Sequence, residues 1–238
     1  MNNMKIAVIF AAGQGKRLNP LTKKTHKSLI KINGVPLIEH LINNLLAVKT
    51  LKQIFVITGY KHEKFLYLQE KYQNLQIIFN ENYFKYQSAY ALTLLPTTVF
   101  DFDLFLVSGD FVMKTNCFND KINDNVMAAM KKETEIEDWS YRLNIQGNII
   151  DIIESDDLDH LLASEWAHIT QPWAKKIAVH LNNSNELEIL KTTMIGKYLI
   201  NRSIKDRILL KPYLIDYHNF WDLDDKSDLQ RIKKVFKK

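Results

Sequence analysis

Short apolar runs alternate with amphipathic stretches through the first half of the chain. Residues 6–10 are continuously apolar and rich in β-branched side chains, the mark of a strand buried in a parallel sheet. Pro36 opens a helix of about three turns, with Leu37, Ile38, Leu41, Ile42 and Leu45 on one face. Residues 53–58 form a second strand that runs into Gly59-Tyr60. Residues 62–72 read as a helix, 75–80 as a third strand, and 88–95 as a helix stopped by Pro96. Residues 104–108 give a fourth strand, ending in Gly109-Asp110. This order predicts an α/β fold: a doubly wound, mostly parallel, Rossmann-like sheet with right-handed crossovers. Ligands of such sheets sit beyond the C-terminal ends of the strands. The glycine segment after residue 10, Gly59, Asn80 and Asp110 all fall there.

The second half is less regular. Residues 126–131, 141–145 and 148–153 read as short strands, with Gln146-Gly147 as a hairpin turn, and 163–170 as another. Pro172 opens a helix toward Leu181, and residues 186–201 read as one further helix. Residues 208–212 and 219–222 are late strands, and 225–236 a terminal helix. There is no repeat or low-complexity linker. The chain therefore reads as a single domain over 1–238: a nucleotide-binding half (1–123), then an acceptor-binding half with the terminal helix (124–238), the latter a mixed lid on the same sheet.

Composition narrows the classes. The 46% hydrophobic and 25% charged content is ordinary for a globular protein, and the net charge of +5 is scattered. Mild basicity fits anionic substrates and does not by itself indicate nucleic acid. Cys117 is the only cysteine, so an intrachain disulfide and a cysteine zinc cluster are excluded. The seven histidines contain no His-x-x-x-His pair. No stretch reaches membrane-spanning length and the N-terminus lacks a signal-peptide pattern, which leads us to expect a cytoplasmic protein without stable membrane insertion.

The chemistry-bearing residues concentrate after the first strand. Ala11 and Ala12 lead into Gly13 and Gly15, whose backbone N–H groups can approach an anion with no Cβ in the way. Lys16, Arg17 and Lys27 add cations, and a strand, a glycine turn and three cations suggest a polyphosphate cradle. The segment is neither a Walker A loop nor a dinucleotide fingerprint, since Arg17 and Leu18 stand where those motifs need Ser/Thr and Gly. Asp110 is placed to hold a metal at a strand end, and Asp222 and Asp224 form a second acidic pair before the terminal helix. Asp225 suits an N-cap.

The string Ala11-Ala12-Gly13-x-Gly15-x-Arg17-Leu18-x-Pro20-Leu21-Thr22, with Lys27 downstream, resembles the loop of the nucleotidyltransferases that join NTPs to sugar phosphates and related phosphomonoesters. One position departs: His26 stands where that family usually has proline. The segments around residues 31–39, 59–72, 79–83, 86–90 and 137–139 are most similar to the bacterial CTP:phosphocholine cytidylyltransferases. The resemblance implies Asp110 and Asp224 as Mg²⁺ ligands, with Asp228 as the later acidic residue. It also implies Gln87 and Ser88 at the base or ribose, where two asparagines are usual, and Trp139 facing a choline headgroup. A quaternary ammonium donates no N–H hydrogen bond and is held by aromatic faces and carboxylates, which adds Asp138, Tyr141 and Glu165 to the acceptor candidates.

The expectation is a Mg²⁺-dependent cytidylyltransferase making CDP-choline and pyrophosphate from CTP and phosphocholine. Residues 12–15 would hold the triphosphate, Arg17 the leaving pyrophosphate, and Lys27 the α-phosphate or the acceptor phosphate. Two other readings stay open: a sugar-1-phosphate uridylyl- or thymidylyltransferase, and a non-catalytic nucleotide-binding module with the same fold.

Overall fold

The computed structural model describes residues 3–135 and 137–237. In chain order it contains β1 (Lys5–Ala11), α1 (Leu21–Lys24), the two-residue strands β2 (Lys31–Ile32) and β3 (Val35–Pro36), α2 (Leu37–Leu46) and β4 (Leu51–Thr58). There follow α3 (Tyr67–Lys71), β5 (Leu75–Phe79), β6 (Asp103–Ser108), β7 (Phe111–Met113), β8 (Val126–Lys131), β9 (Asp138–Leu143), β10 (Ile149–Ser155) and β11 (Leu161–Ile169). The chain closes with α4 (Gln171–Leu181), α5 (Ser184–Thr192), α6 (Ile195–Asp206), β12 (Lys211–Leu214), β13 (Phe220–Asp222) and α7 (Lys226–Val235).

The apolar runs become a nine-stranded sheet in the order β10-β9-β11-β6-β1-β4-β5, with β8 on the other edge of β11 and β12 beside β8. β6, β1, β4 and β5 are mutually parallel, as the alternation of strands and helices predicts. The sheet turns antiparallel at β11. One packed cluster lies on each face. Val8, Phe55, Leu106, Trp173 and Tyr198 belong to one, and Ile9, Leu41, Val56, Phe105 and Trp166 to the other. A third, smaller cluster joins Leu18, Ile32 and Leu37 to Val112, Leu223, Leu229 and Ile232. It fastens α7 against the segment that follows the glycine loop.

Several predicted elements change form. Residues 62–72 are a 3₁₀ turn (His62–Phe65) followed by the short α3. Ser88–Leu94 is 3₁₀, because its start is tied sideways: the N–H groups of Gln87 and Ala89 donate to the carbonyls of Lys191 and Thr193. The single helix expected over 186–201 is two helices, broken at Thr193-Met194, where the Ile195 N–H donates to the Ser88 hydroxyl at 2.9 Å. The late strand starts at Lys211 rather than 208, since α6 runs on to Asp206 and Arg207 closes it in the left-handed region. β7 was not foreseen; it pairs antiparallel with β13.

The long strand β11 sets the geometry above the site. β8 pairs along one of its edges; the other edge pairs with β6 through Trp166–Ile169 and with β9 through Leu161 and Leu162. The β9–β10 hairpin therefore continues the line of β6 beyond that strand's C-terminal end.

Candidate active site

The ends of β1, β4 and β6 converge on the glycine loop. Gly15 has φ of 58°, in the left-handed region, and a Cβ there would stand 3.2–3.3 Å from Thr22 and Lys27. The Thr22 hydroxyl donates to the Gly15 carbonyl at 2.9 Å, the Tyr60 hydroxyl donates to the Thr22 carbonyl at 3.0 Å, and the Tyr60 N–H donates to the Ala12 carbonyl at 3.1 Å. Gly59 is needed for close approach, since a Cβ would fall 2.4 Å from Tyr83 and 2.9 Å from the Ala12 carbonyl.

Two cavities meet at Lys27. The first, about 390 Å³, is lined by Gln14, Gly15, Lys16, Arg17, Lys27 and Asp224. The second, about 280 Å³, includes Ala11, Ala12, Gly13, Asn80, Gln87, Ser88 and Asp110 in its wall. The nucleotide-binding candidates thus gather around adjoining spaces, cationic in one and amide- and hydroxyl-lined in the other; Gly59 supports the wall by making room for Tyr83. Asn80 is buried, and its Oδ1 accepts the Asn82 N–H at 3.0 Å. Ser88 differs from expectation in that its hydroxyl already accepts the α6 N–H described above.

The acidic residues come together through the backbone. Asp222 on β13 pairs with Phe111 on β7, and the Leu223 N–H donates to the Asp110 carbonyl at 2.8 Å. Leu223 is buried in the third cluster, which holds Asp222 and Asp224 beside Asp110. The Lys27 ammonium forms an ion pair with Asp110 Oδ2 and stands 3.3 Å from Asp224 Oδ1, while Arg17 reaches Asp224 Oδ2 at 3.0 Å. The Ser108 hydroxyl donates to Asp110 Oδ1. Burial alone would lower the Lys27 pKa, but Asp110 and Asp224 outweigh it and hold the ammonium charged well above its usual range.

Glu165 stands in the same group. Burial, followed by the Asp110 charge, pushes its carboxyl up to about 7. Asp222 is raised well above the ordinary aspartate value by burial and then by Glu165 and Asp110, and its buried Oδ1 has no hydrogen-bond partner. Asp110, Glu165, Asp222 and Asp224 thus gather near one lysine, and crowding with burial favours the protonated form of Glu165 and Asp222.

Among the described residues, no group of three or more His, Cys, Asp or Glu side chains is preassembled as a metal site. The donor set still fits magnesium, which takes hard oxygen ligands from one or two carboxylates together with phosphate oxygens and water. Asp110 and Asp224 supply those carboxylates, and the unpartnered Asp222 Oδ1 lies beside them. Asp228 plays another part: its carboxylate accepts the N–H groups of Asp224 and Asp225 at 3.0 Å, completing a capping box with Asp225 at the start of α7.

The acceptor candidates divide. Glu165 belongs to the carboxylate group. Trp139 and Asp138 lie on the exposed start of β9, and the Asp138 carboxylate accepts the Trp139 N–H at 2.7 Å. Tyr141 corrects the expectation: its ring is sealed in the main core with 1% of its surface exposed, which closes its face to a headgroup. Sequence reasoning also passed over Gly109. A Cβ there would stand 3.0 Å from Ala11, 3.1 Å from the Phe10 carbonyl and 3.2 Å from the Ser28 hydroxyl, so glycine lets β6 close on the loop. Its position between a strand and Asp110 was the available signal.

Comparisons with known proteins point to one family and one fold. The family model for nucleotidyl transferases matches residues 6–142. The choline-phosphate cytidylyltransferase of Haemophilus influenzae is 34% identical over 146 residues, a match spanning 61% of this chain and 61% of that protein. The enzyme of the same name from Streptococcus pneumoniae is 27% identical over 236 residues, covering 97% of this chain and 98% of its own. The 2-aminoethylphosphonate cytidylyltransferase of Lancefieldella rimae is 28% identical over 179 residues, 75% of this chain and 72% of that one. Among solved structures, the CTP:phosphocholine cytidylyltransferase from Streptococcus pneumoniae superposes with a TM-score of 0.83 at 23% identity, covering 98% of this chain and 100% of that one.

Proposed function

The chain belongs to the nucleotidyl transferase family, and on that premise we propose that it is a Mg²⁺-dependent cytidylyltransferase that joins CTP to phosphocholine. An acceptor phosphate oxygen would attack the α-phosphorus, forming the new P–O bond as the bond to the β-phosphate oxygen breaks and pyrophosphate leaves. The observation that carries this reading is the carboxylate-rich end of the site, where Glu165 and Asp222 add to Asp110 and Asp224 around Lys27. A divalent cation and a cationic headgroup would together favour ionisation of Glu165 and Asp222, whereas a neutral sugar would leave both protonated.

The chain's own residues would contribute mainly position and charge. The backbone of residues 12–15, with Lys16 and Arg17, would hold the triphosphate and steady the leaving pyrophosphate. Lys27, at the junction of the two cavities, would face the α-phosphate and the incoming oxygen. Asn80, Gln87 and Ser88 would present amide and hydroxyl groups to the nucleoside. Asp110 and Asp224 would hold Mg²⁺, which supplies charge neutralisation at the phosphates when bound.

The test is pyrophosphate release across CTP, UTP, dTTP and ATP, each with phosphocholine, 2-aminoethylphosphonate and glucose 1-phosphate. CTP with phosphocholine should turn over fastest. Faster turnover of CTP with 2-aminoethylphosphonate would move the acceptor to a primary ammonium. A preference for UTP or dTTP with the sugar phosphate would replace the reading with the uridylyl or thymidylyl alternative. Release from no pair, with NTP binding intact, would leave a binding module.

A further inference from the structure

His26 touches two parts of the site at once. The residue is buried, and its Nδ1 accepts the Ser28 N–H at 3.1 Å, which caps the turn carrying Lys27. An accepting Nδ1 leaves the ring proton on Nε2. Nε2 is sealed from solvent and has no hydrogen-bond partner, and His26 and Gly13 line the same cavity. Phe65 fixes the ring edge-on, with centroids 5.0 Å apart.

The rest of the glycine loop is already held, Ala12 by the Tyr60 N–H and Gly15 by the Thr22 hydroxyl. Gly13 is looser: it is exposed, and a Cβ there would meet nothing within 4 Å. Its peptide is the part of the cradle with room to move, and His26, with a buried N–H that lacks a partner, belongs to the same cavity wall. Leaving such a donor unmet is costly, so a small shift of Gly13 toward the ring is favoured.

The backbone does not demand a histidine. His26 has φ −75° and ψ 149°, and Thr25 before it has φ −143° and ψ 162°, values that proline and the residue preceding it also adopt. What histidine adds is the ring. We propose that His26 is a positioning residue, whose imidazole sets the Gly13 peptide against the Lys27 turn and completes a bond from Nε2–H to the Gly13 carbonyl when nucleotide fills the loop. This rests on the nucleotide-binding reading of that loop.

Three substitutions separate the two halves of the ring. His26→Asn keeps an acceptor for the Ser28 N–H but cannot reach Gly13. His26→Gln places an amide N–H near the position of Nε2. His26→Pro keeps the backbone angle and loses both contacts. Hydrogen–deuterium exchange over residues 11–17, with and without CTP, is read beside pyrophosphate-release kinetics and melting temperature. The expected result is CTP-dependent protection in wild type and His26→Gln. His26→Asn and His26→Pro should lose most of it, with kcat down about tenfold and the acceptor KM within about twofold. Full protection and kcat in His26→Asn would reduce His26 to a helix cap and overturn the proposal, as would wild-type behaviour of a folded His26→Pro. Absence of protection in wild type with CTP and every other NTP would instead strike the nucleotide-binding reading on which it rests.

Discussion

The Lys27 ammonium is ion-paired with the Asp110 carboxylate, one of the two proposed to hold Mg²⁺. The same ammonium stands 3.3 Å from Asp224, so one lysine bridges both carboxylates proposed for the metal. On the proposed assignment, Mg²⁺ and the Lys27 ammonium would compete for the oxygens of Asp110 and Asp224. An ammonium displaced in that competition would turn toward the cation-rich cavity that it already lines.

Lys27→Met should therefore have opposite effects on two measurements. Mn²⁺ affinity without nucleotide, followed by electron paramagnetic resonance, should tighten by about tenfold as an ammonium competitor disappears. The rate of pyrophosphate release should fall by at least about tenfold, since the transition state loses a cation. Unchanged or weaker Mn²⁺ binding would mean that lysine and metal occupy separate positions. If only the KM for nucleotide rises, Lys27 binds ground and transition states alike.

Gly59→Ala tests the wall of the second cavity. The added methyl would fall 2.4 Å from the Tyr83 Cβ, a backbone-proximal atom that no rotamer change can remove. Tyr83 and the segment after Asn80 must shift outward, and the Ala12 carbonyl at 2.9 Å must yield as well. CTP affinity by calorimetry should drop by about tenfold or more, with a stability loss of about 1–3 kcal/mol typical of overpacking. Wild-type affinity in this variant would place the nucleoside away from Asn80 and Tyr83.

How far the chain announces itself differs between its halves, for physical reasons. The parallel strands and the loop from Ala11 to Arg17 were legible because a buried strand and a glycine turn are local features. Asp110 was legible for the same reason, at the end of a continuous apolar run. The choice between Asp222 and Asp224 was not, because both positions flank Leu223 and only long-range packing tells them apart: Asp224 meets Lys27 and Arg17, while Asp222 is left with an unpartnered oxygen. Ser88 read as a ligand to the nucleotide, yet its hydroxyl also organises α6, a contact spanning 107 residues that no periodicity reveals. Trp139 and Tyr141 are two apart on one strand and read alike, but one is exposed and the other is core.

Glu165 gives the site a pH signature. Its carboxyl is raised to about 7, first by burial and then by Asp110. A raised carboxyl adds stability that is fully present below its unfolded value of 4.5 and is lost as pH climbs through about 7. Glu165→Gln removes that dependence. In metal-free protein the two should melt together near pH 4.5, and the variant should gain with rising pH, by about 3 kcal/mol at most above pH 7. The comparison must be a difference, because His26 and His168 are lowered to about 4, chiefly by burial, and act the other way: their contribution is lost as pH falls from 6.5. A constant offset between the two melting curves across this range would show that Glu165 titrates as an ordinary carboxyl.

Substitution of Trp139 tests how the proposed acceptor headgroup is held. It lies on β9, which continues the line of β6 past Ser108 and so stands beyond the carboxylate group, with 43% of its surface exposed. With Tyr141 sealed in the core, no second wall comes from that strand. An exposed indole attracts a quaternary ammonium by about 0.5–1 kcal/mol, so Trp139→Ala should raise the phosphocholine KM only about two- to fivefold and leave that for CTP unchanged. Trp139→Phe should retain most of the affinity, while Trp139→Leu, which keeps apolar bulk without the π face, should not. 3,3-Dimethylbutyl phosphate, with carbon in place of the ammonium nitrogen, isolates the charge: it should bind wild type less well and be indifferent to the Trp139→Ala change. A loss of about 30-fold in Trp139→Ala would mean that the β9–β10 hairpin closes over the ligand and desolvates the indole. No loss at all would shift the whole task of holding the cation to Glu165 and Asp222, and the double variant Glu165→Gln, Asp222→Asn should then abolish the preference for phosphocholine over its neutral analogue.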